Sequence, residues 1–149
     1  MTYLFDSDTL SDFYETTSPD HPGIIRRIAS LGGEDTLSIS ILSLYEFEYG
    51  YANAAETKKP VLRQRIVNAS TRFRVLGLSL EVGRLFGKLK KKLSDARRLT
   101  EKGRRYHTVD LIVAATAIAE SYTLVSSDSL YGDLCELEPS LKLEDWRQA

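Results

Sequence analysis

Five carboxylates stand where an acid can do more than solvate a surface. Asp6 directly follows the apolar run Tyr3-Leu4-Phe5, and Asp128 follows Thr123-Leu124-Val125-Ser126 after the single residue Ser127. Asp110 opens the almost wholly apolar stretch 111–119. Glu46 and Glu48 lie in Ser43-Leu44-Tyr45-Glu46-Phe47-Glu48-Tyr49-Gly50. Carboxylates can attack phosphorus, move protons or ligate hard cations. Each also has a plainer role. Asp at a strand end commonly serves a turn. An acid in the first turn of a helix is favoured by the helix dipole by ~0.3–1 kcal/mol. Ser43-x-x-Glu46 has the form of a capping box. The two glutamates sit roughly 200° apart around a helix, so they cannot share a face, and periodicity does not choose between them.

Other chemistries are excluded by what is missing. Cys135 is the sole cysteine, and His21 and His107 are the only histidines. An intrachain disulfide, a multi-cysteine zinc site and a histidine-rich metal centre are therefore out. Met1-Thr2-Tyr3-Leu4-Phe5-Asp6 lacks the basic and apolar regions of a secretory signal. The longest apolar run is about half of a membrane span. A reducing cytoplasm is the expected location.

The chain has 149 residues, 42% hydrophobic and 28% charged, which suits one globular domain over 1–149. Its net charge of -1 conceals a strong asymmetry. Residues 58–105 hold 16 of the 20 basic residues and three acids, a net +13; the remainder holds 4 bases and 18 acids, a net -14. Such a basic middle is either a solvated face or the footprint of a polyanion, most simply nucleic acid.

Strand and helix patterns alternate along the chain. Residues 3–5, 36–40, 74–78, 122–126 and 141–143 read as strands, and 9–15, 24–31, 41–55 and 80–98 as helices. Gly32-Gly33 stops the second helix, and residues 18–23 carry loop chemistry. Pro60 stands near the start of a further helix with Val61, Leu62, Ile66, Val67 and Phe73 facing inward. The basic helix 80–98 packs through Val82, Leu85, Phe86, Leu89 and Leu93. A loop follows over 99–107, then Thr108 caps a buried helix to residue 120 with Asp110 at its second position. Gly132 and Pro139 mark a last loop. The alternation implies a three-layer α/β/α sandwich with a mostly parallel central sheet. In such sheets the site lies at the carboxyl ends of the strands, where Asp6 and Asp128 fall.

In order, these pieces resemble a PIN-domain ribonuclease of the VapC toxin type. Leu4-Phe5-Asp6-Ser7-Asp8-Thr9-Leu10-Ser11 is similar to the family's opening hydrophobic-Asp-Thr/Ser-Asn-x-Leu-Ser. Ser43-Leu44-Tyr45-Glu46-Phe47-Glu48-Tyr49-Gly50 resembles its Ala-Glu-Leu-x-x-Gly segment, and that alignment selects Glu46. Asp110-Leu111-Ile112-Val113-Ala114-Ala115-Thr116-Ala117 is close to Asp-x-x-Ile-Ala-Ala-x-Ala, and Leu124-Val125-Ser126-Ser127-Asp128 to Leu-Val-Thr-x-Asp. Asp8 replaces the usual Asn and adds a fifth carboxylate or a helix cap. Ser129 and Leu130 stand where a further aspartate is often found, and Asp133 does not align with it.

The resemblance implies a magnesium-dependent endoribonuclease, with manganese as the alternative ion, a cognate antitoxin and a homodimer. Converging carboxylates repel unless a cation or proton intervenes, and magnesium prefers hard oxygen ligands. Asp6 and Asp128 are expected as direct ligands, with Glu46 and Asp110 acting through metal or water and Ser7 and Ser126 orienting the acids. Oxygens sharing one ion would approach within roughly 3–4.5 Å. Lys88, Lys90, Lys91, Lys92, Arg97, Arg98, Arg104 and Arg105 are the candidate RNA contacts.

Two other readings compete. Asp6-Ser7-Asp8-Thr9-Leu10 also resembles the nucleophile motif of haloacid-dehalogenase-type phosphatases, with Asp6 attacking phosphorus and Asp8 as acid/base. The later Gly-Asp-x-x-x-Asp of those enzymes is not met by Gly132-Asp133-Leu134-Cys135-Glu136-Leu137. A non-catalytic RNA- or antitoxin-binding module is the second.

Overall fold

The computed structural model describes residues 1–96 and 107–147. Five strands form one sheet: β1 (Thr2–Phe5), β2 (Thr36–Ser40), β3 (Arg74–Leu76), β4 (Thr123–Val125) and β5 (Lys142–Glu144). All pair in parallel in the order β3-β2-β1-β4-β5, with Leu4 opposite Ser38 on one side and Leu124 on the other. Among the described residues the helices are α1 (Ser7–Tyr14), α2 (His21–Ala29), α3 (Ile41–Asn53), α4 (Lys59–Arg72), α5 (Leu80–Asp95), α6 (Thr108–Glu120) and α7 (Ser129–Leu137). None of them is long and apolar enough to cross a membrane.

The period-two alternation of β1 divides the core. Leu4 points into a cluster with Leu89 and Leu93 of α5, Leu111 and Ala114 of α6, and Leu134 of α7. Tyr3 and Phe5 point the other way, toward Leu10 of α1, Ile24 of α2 and Ala69 of α4. Helices thus cover both faces of a parallel sheet, the expected α/β/α sandwich. Trp146 closes the second cluster, edge-on to Phe5 at 5.2 Å and to Tyr3 at 5.0 Å. That segment runs so close to α2 that a Cβ on Gly23 would lie 2.2 Å from the Arg147 carbonyl oxygen.

Several boundaries differ from the sequence reading, each for a local reason. α2 starts at His21 because Pro22 occupies the first turn, where its missing N–H costs nothing. α4 buries Ile66 and Ala69, while Val61 and Val67 are exposed. Each of those valines is one residue, about 100°, off the inward stripe through Leu62, Ile66 and Ala69. β3 ends at Leu76, and β5 is displaced one residue to Lys142–Glu144. α6 has His107, not Thr108, as its N-cap, which moves Asp110 from the second to the third helical position. The loop expected around Gly132 is the helix α7, capped by Asp128 and buried through Leu130, Tyr131 and Leu134. Gly132 sits on its exposed side, where it disturbs no packing.

Candidate active site

Strand order fixes the location. The chain builds outward from β1 through β2 to β3, then returns to the other side of β1 for β4 and β5. The direction reverses between β1 and β4, and a crevice opens there at the carboxyl edge of a doubly wound sheet. Asp6 leaves β1 at this point, and Asp128 follows β4.

Asp6 is 4% exposed and caps α1. Its Oδ1 accepts the Thr9 amide at 2.8 Å, and its Oδ2 accepts the Ser126 hydroxyl at 2.5 Å. Burial pushes the Asp6 carboxyl up to about 6, against the pull of these bonds, and the Asp8 charge adds to the rise. Asp128 caps α7, its Oδ1 accepting the Leu130 amide at 2.9 Å. Its own amide donates to Ser126 Oγ at 3.0 Å. One hydroxyl therefore joins the first and last acids. Both Asp6 oxygens are taken, Oδ1 by the cap and Oδ2 by Ser126, whereas the Asp128 cap uses Oδ1.

α6 turns into β4 over two residues, so its N-terminus returns to the same edge and carries Asp110 there. Asp110 Oδ2 lies 3.2 Å from His107 Nδ1. Burial raises its carboxyl, the His107 hydrogen bond opposes that, and Asp128 raises it further. Asp8 is raised by burial and then by Asp110, Asp128 and Asp12. It is not the helix cap, since Asp6 holds that position; it is a fifth carboxylate of the cluster.

The structure also separates the two glutamates. α3 is capped by Ser40, whose hydroxyl accepts the Leu42 amide at 3.1 Å. Ser43 is therefore inside the helix, bonded to Ser7 at 3.0 Å, and the capping-box reading of Glu46 falls away. Glu46 is raised by burial, relieved by Ser7, and raised again by Asp110 and Asp8. Glu48 points elsewhere, into a two-pronged pair with Arg63 at 2.7 and 3.2 Å.

Asp6, Asp8, Glu46, Asp110 and Asp128 thus act on one another across a single crevice. The donor set is all carboxylate, partly desolvated and mutually repelling, which suits a hard dication. Among the described residues, however, no three His, Cys, Asp or Glu side chains close to the spacing that would hold one ion. The approach of roughly 3–4.5 Å expected of oxygens sharing an ion allows slack without one, because like charges then repel. The phosphatase alternative loses its second acid site as well. Gly132 and Asp133 lie within α7 rather than after a strand.

The basic candidates lie elsewhere. Lys92 Nζ bonds the Leu137 carbonyl at 3.3 Å and pairs with the Glu138 carboxylate, at the end of α7 remote from Asp128. α7 has nine residues, so that end is about 13 Å from the acids along the helix. Lys91 pairs with Asp95 at 2.8 Å, Lys90 stands over the Phe86 ring at 5.6 Å, and Lys88 acts on Glu138. This end of α5 belongs to the amino edge of the sheet, so these lysines do not line the acid crevice. Arg97, Arg98, Arg104 and Arg105 lie outside the described residues.

Beside the acids, a groove of about 520 Å³ runs between α1, α3 and α4. Tyr14, Phe47 and Ile66 give it an apolar lining; Asp8, Asp12, Glu15 and Glu46 make its polar side mostly acidic, with Arg65 paired to Glu15 at 3.6 Å. Two neighbours of the acids escaped the sequence reading: His107, hidden in an expected loop, and Tyr131, whose place three residues after a cap is visible only once α7 is a helix.

Solved structures share this fold over nearly their whole length. VapBC2 from Rickettsia felis, bound to a DNA fragment from their promoter, aligns with a TM-score of 0.77 and 22% identity, covering 98% of this chain and 99% of that one. VapBC-1 from nontypeable Haemophilus influenzae gives 0.76 at 18% identity over 98% of both chains. FitAcB from Neisseria gonorrhoeae gives 0.75 at 19% identity over 95% of both. No curated protein matches the sequence. The domain model described as PIN domain matches residues 3–137, and with nine-tenths of its length accounted for, the chain belongs to the PIN domain family.

Proposed function

We propose that this protein is a metal-dependent endoribonuclease, the VapC-type toxin of a toxin–antitoxin pair. The observation that carries this reading is the gathering of Asp6, Asp8, Glu46, Asp110 and Asp128 at the switch point of the sheet, with the carboxyls of Asp6, Asp8, Glu46 and Asp110 raised by burial and by one another. Asp6, Asp110, Asp128 and Glu46 would hold magnesium or manganese. Such an ion supplies an activated water and neutralises charge on the scissile phosphodiester.

The chain's own residues do the positioning. Ser126 and the Thr9 amide hold Asp6, the Leu130 amide holds Asp128, and His107 holds Asp110. No histidine is needed as nucleophile or base, which accords with a chain that has two.

The groove beside the acids suits the partner this reading calls for. Its apolar lining and mostly acidic polar side fit a basic, amphipathic segment of an antitoxin, and structural neighbours are complexes of the VapBC and FitAB kind. Tyr45 and Tyr49, exposed one turn apart on α3, offer a surface for a second copy in a homodimer.

The test is RNA cleavage by the purified chain with magnesium, with manganese and with chelator. Cleavage should require the ion and be lost in Asp6→Asn and in Asp110→Asn. RNA binding that survives both changes without any ion-dependent cleavage would leave the non-catalytic module as the answer.

A further inference from the structure

Ser126, whose hydroxyl bonds Asp6, is itself held from outside the crevice: its amide donates to the Glu144 carbonyl at 3.0 Å. Glu144 ends β5, a strand of three residues at the edge of the sheet beside β4. Short edge elements open readily unless something besides the ladder holds them.

That hold is on the Glu144 carboxylate. Its Oε2 accepts the Trp146 indole N–H at 2.8 Å, and its Oε1 lies 3.7 Å from the Arg27 guanidinium of α2. The same guanidinium stands over the Trp146 ring, 5.3 Å from its centroid, and donates to the Tyr3 hydroxyl at 3.2 Å. Trp146 is 3% exposed and meets Phe5, the residue before Asp6, edge-on at 5.2 Å. Residues 144–146 therefore reach the acid site twice, at Ser126 through a backbone bond and beside Asp6 through a ring. They follow the stretch 3–137 that the domain model matches.

We propose that Glu144 is a positioning residue of the acid site: with its carboxylate clamped by Trp146 and Arg27, its carbonyl sets the Ser126 amide and so the hydroxyl that aims Asp6. The inference rests on the metal-nuclease reading above and deepens it. A buried indole N–H without an acceptor is costly, so removing the carboxylate favours departure of Trp146 from its seat, and the β5 backbone moves with it. Groups behind a metal-binding carboxylate fix its orientation without touching the ion.

The test compares Glu144→Ala, Glu144→Gln, Ser126→Ala and the double variant Glu144→Ala/Ser126→Ala, each at a temperature where circular dichroism shows it folded. Three properties are read: hydrogen exchange of the Ser126 amide in metal-free protein, the manganese Kd by paramagnetic resonance, and kcat and KM for RNA in magnesium. Glu144→Ala should speed the exchange, raise the Kd by about threefold or more, and lower kcat with KM unchanged. Glu144→Gln keeps an acceptor for the indole and gives up only a long, partly exposed ion pair, so it should recover most of the affinity and the exchange protection. Ser126→Ala should raise the Kd by itself, and adding Glu144→Ala should raise it no further, because the clamp acts through the hydroxyl already lost. Wild-type Kd and kcat in Glu144→Ala would overturn the inference and leave the nuclease reading standing. Effects of the two substitutions that simply multiply would overturn it too, since the clamp would then act by some route other than Ser126. A wild type that binds no manganese and cuts no RNA would overturn the nuclease reading and the inference with it.

Discussion

Ser126 Oγ donates to Asp6 Oδ2 at 2.5 Å across 120 residues of sequence, and Ser126 Oγ itself accepts the Asp128 amide at 3.0 Å. The end of β4 is thereby latched to the end of β1, and the hydroxyl counters part of the burial that raises Asp6. Ser126→Ala should push the Asp6 pKa above its present value of about 6. A hydrogen bond to a charged group is worth about 1.5–3 kcal/mol, and that loss should appear in the metal-free protein at neutral pH. Urea unfolding at pH 7.5 and at pH 5 checks it, with the smaller loss at pH 5, where Asp6 is protonated. Equal unfolding midpoints for the two proteins at pH 7.5 would mean the latch is idle.

Asp6→Asn should abolish cleavage and stabilise the metal-free fold at neutral pH. The direction follows from proton linkage. The folded Asp6 keeps its proton up to about pH 6, whereas the unfolded chain loses it near 3.8. Folding therefore carries the full penalty above pH 6, and the penalty is relieved as pH falls toward 4. A shift of this size corresponds to roughly 3 kcal/mol. The asparagine still caps α1 through its carbonyl oxygen. The stability difference between wild type and Asp6→Asn, measured in chelator from pH 4 to pH 8, should grow through pH 4–6 and then level. A difference that is flat across that range would show that Asp6 is not held protonated by its surroundings.

The sandwich and the strand-end acids were legible because both follow from short-range pattern. Tyr3-Leu4-Phe5-Asp6 shows its strand and its carboxylate in four letters. α6 declares its burial by being apolar all round. α7 was hidden because Ser129, Gly132 and Pro139 imitate a loop, and Tyr131 was lost with it. Glu46 could not be chosen over Glu48 from spacing, because the deciding facts are tertiary: Arg63 of α4 takes Glu48, and Asp110 of α6 faces Glu46. The placement of the basic run was not legible for the same reason. Charge is visible in sequence, but the edge of the sheet on which it lands is set by the direction of α5 and by Glu138.

Glu46→Gln should eliminate most cleavage, and Glu48→Gln should leave it near wild type. Burial and the neighbouring Asp110 and Asp8 raise the Glu46 carboxyl, so the amide should leave metal-free stability level or slightly higher. Glu48 loses an exposed pair with Arg63, a change of little consequence for the fold. Initial rates on one RNA at saturating magnesium, set beside metal-free Tm values, check both statements. Similar loss of rate in both variants would mean that α3 contributes to the reaction through something other than the face that carries Glu46.

Lys92 should matter for folding and not for RNA. Its ammonium joins the end of α5 to the end of α7 through the Leu137 carbonyl and Glu138, at the amino edge of the sheet. Lys92→Gln alone should cost up to about 1 kcal/mol. Changing Lys90, Lys91 and Lys92 together to Gln should leave the cleavage rate per folded molecule unchanged. If these lysines touched RNA phosphates, each lost contact would remove about 0.7 from the slope of log affinity against log salt for a single strand. The expected result is parallel salt plots for wild type and triple variant, measured with calcium in place of magnesium. A slope reduced by about 2 would place the RNA path along α5, and the acid crevice would then have to be reached by a strand that wraps the sheet from one edge to the other.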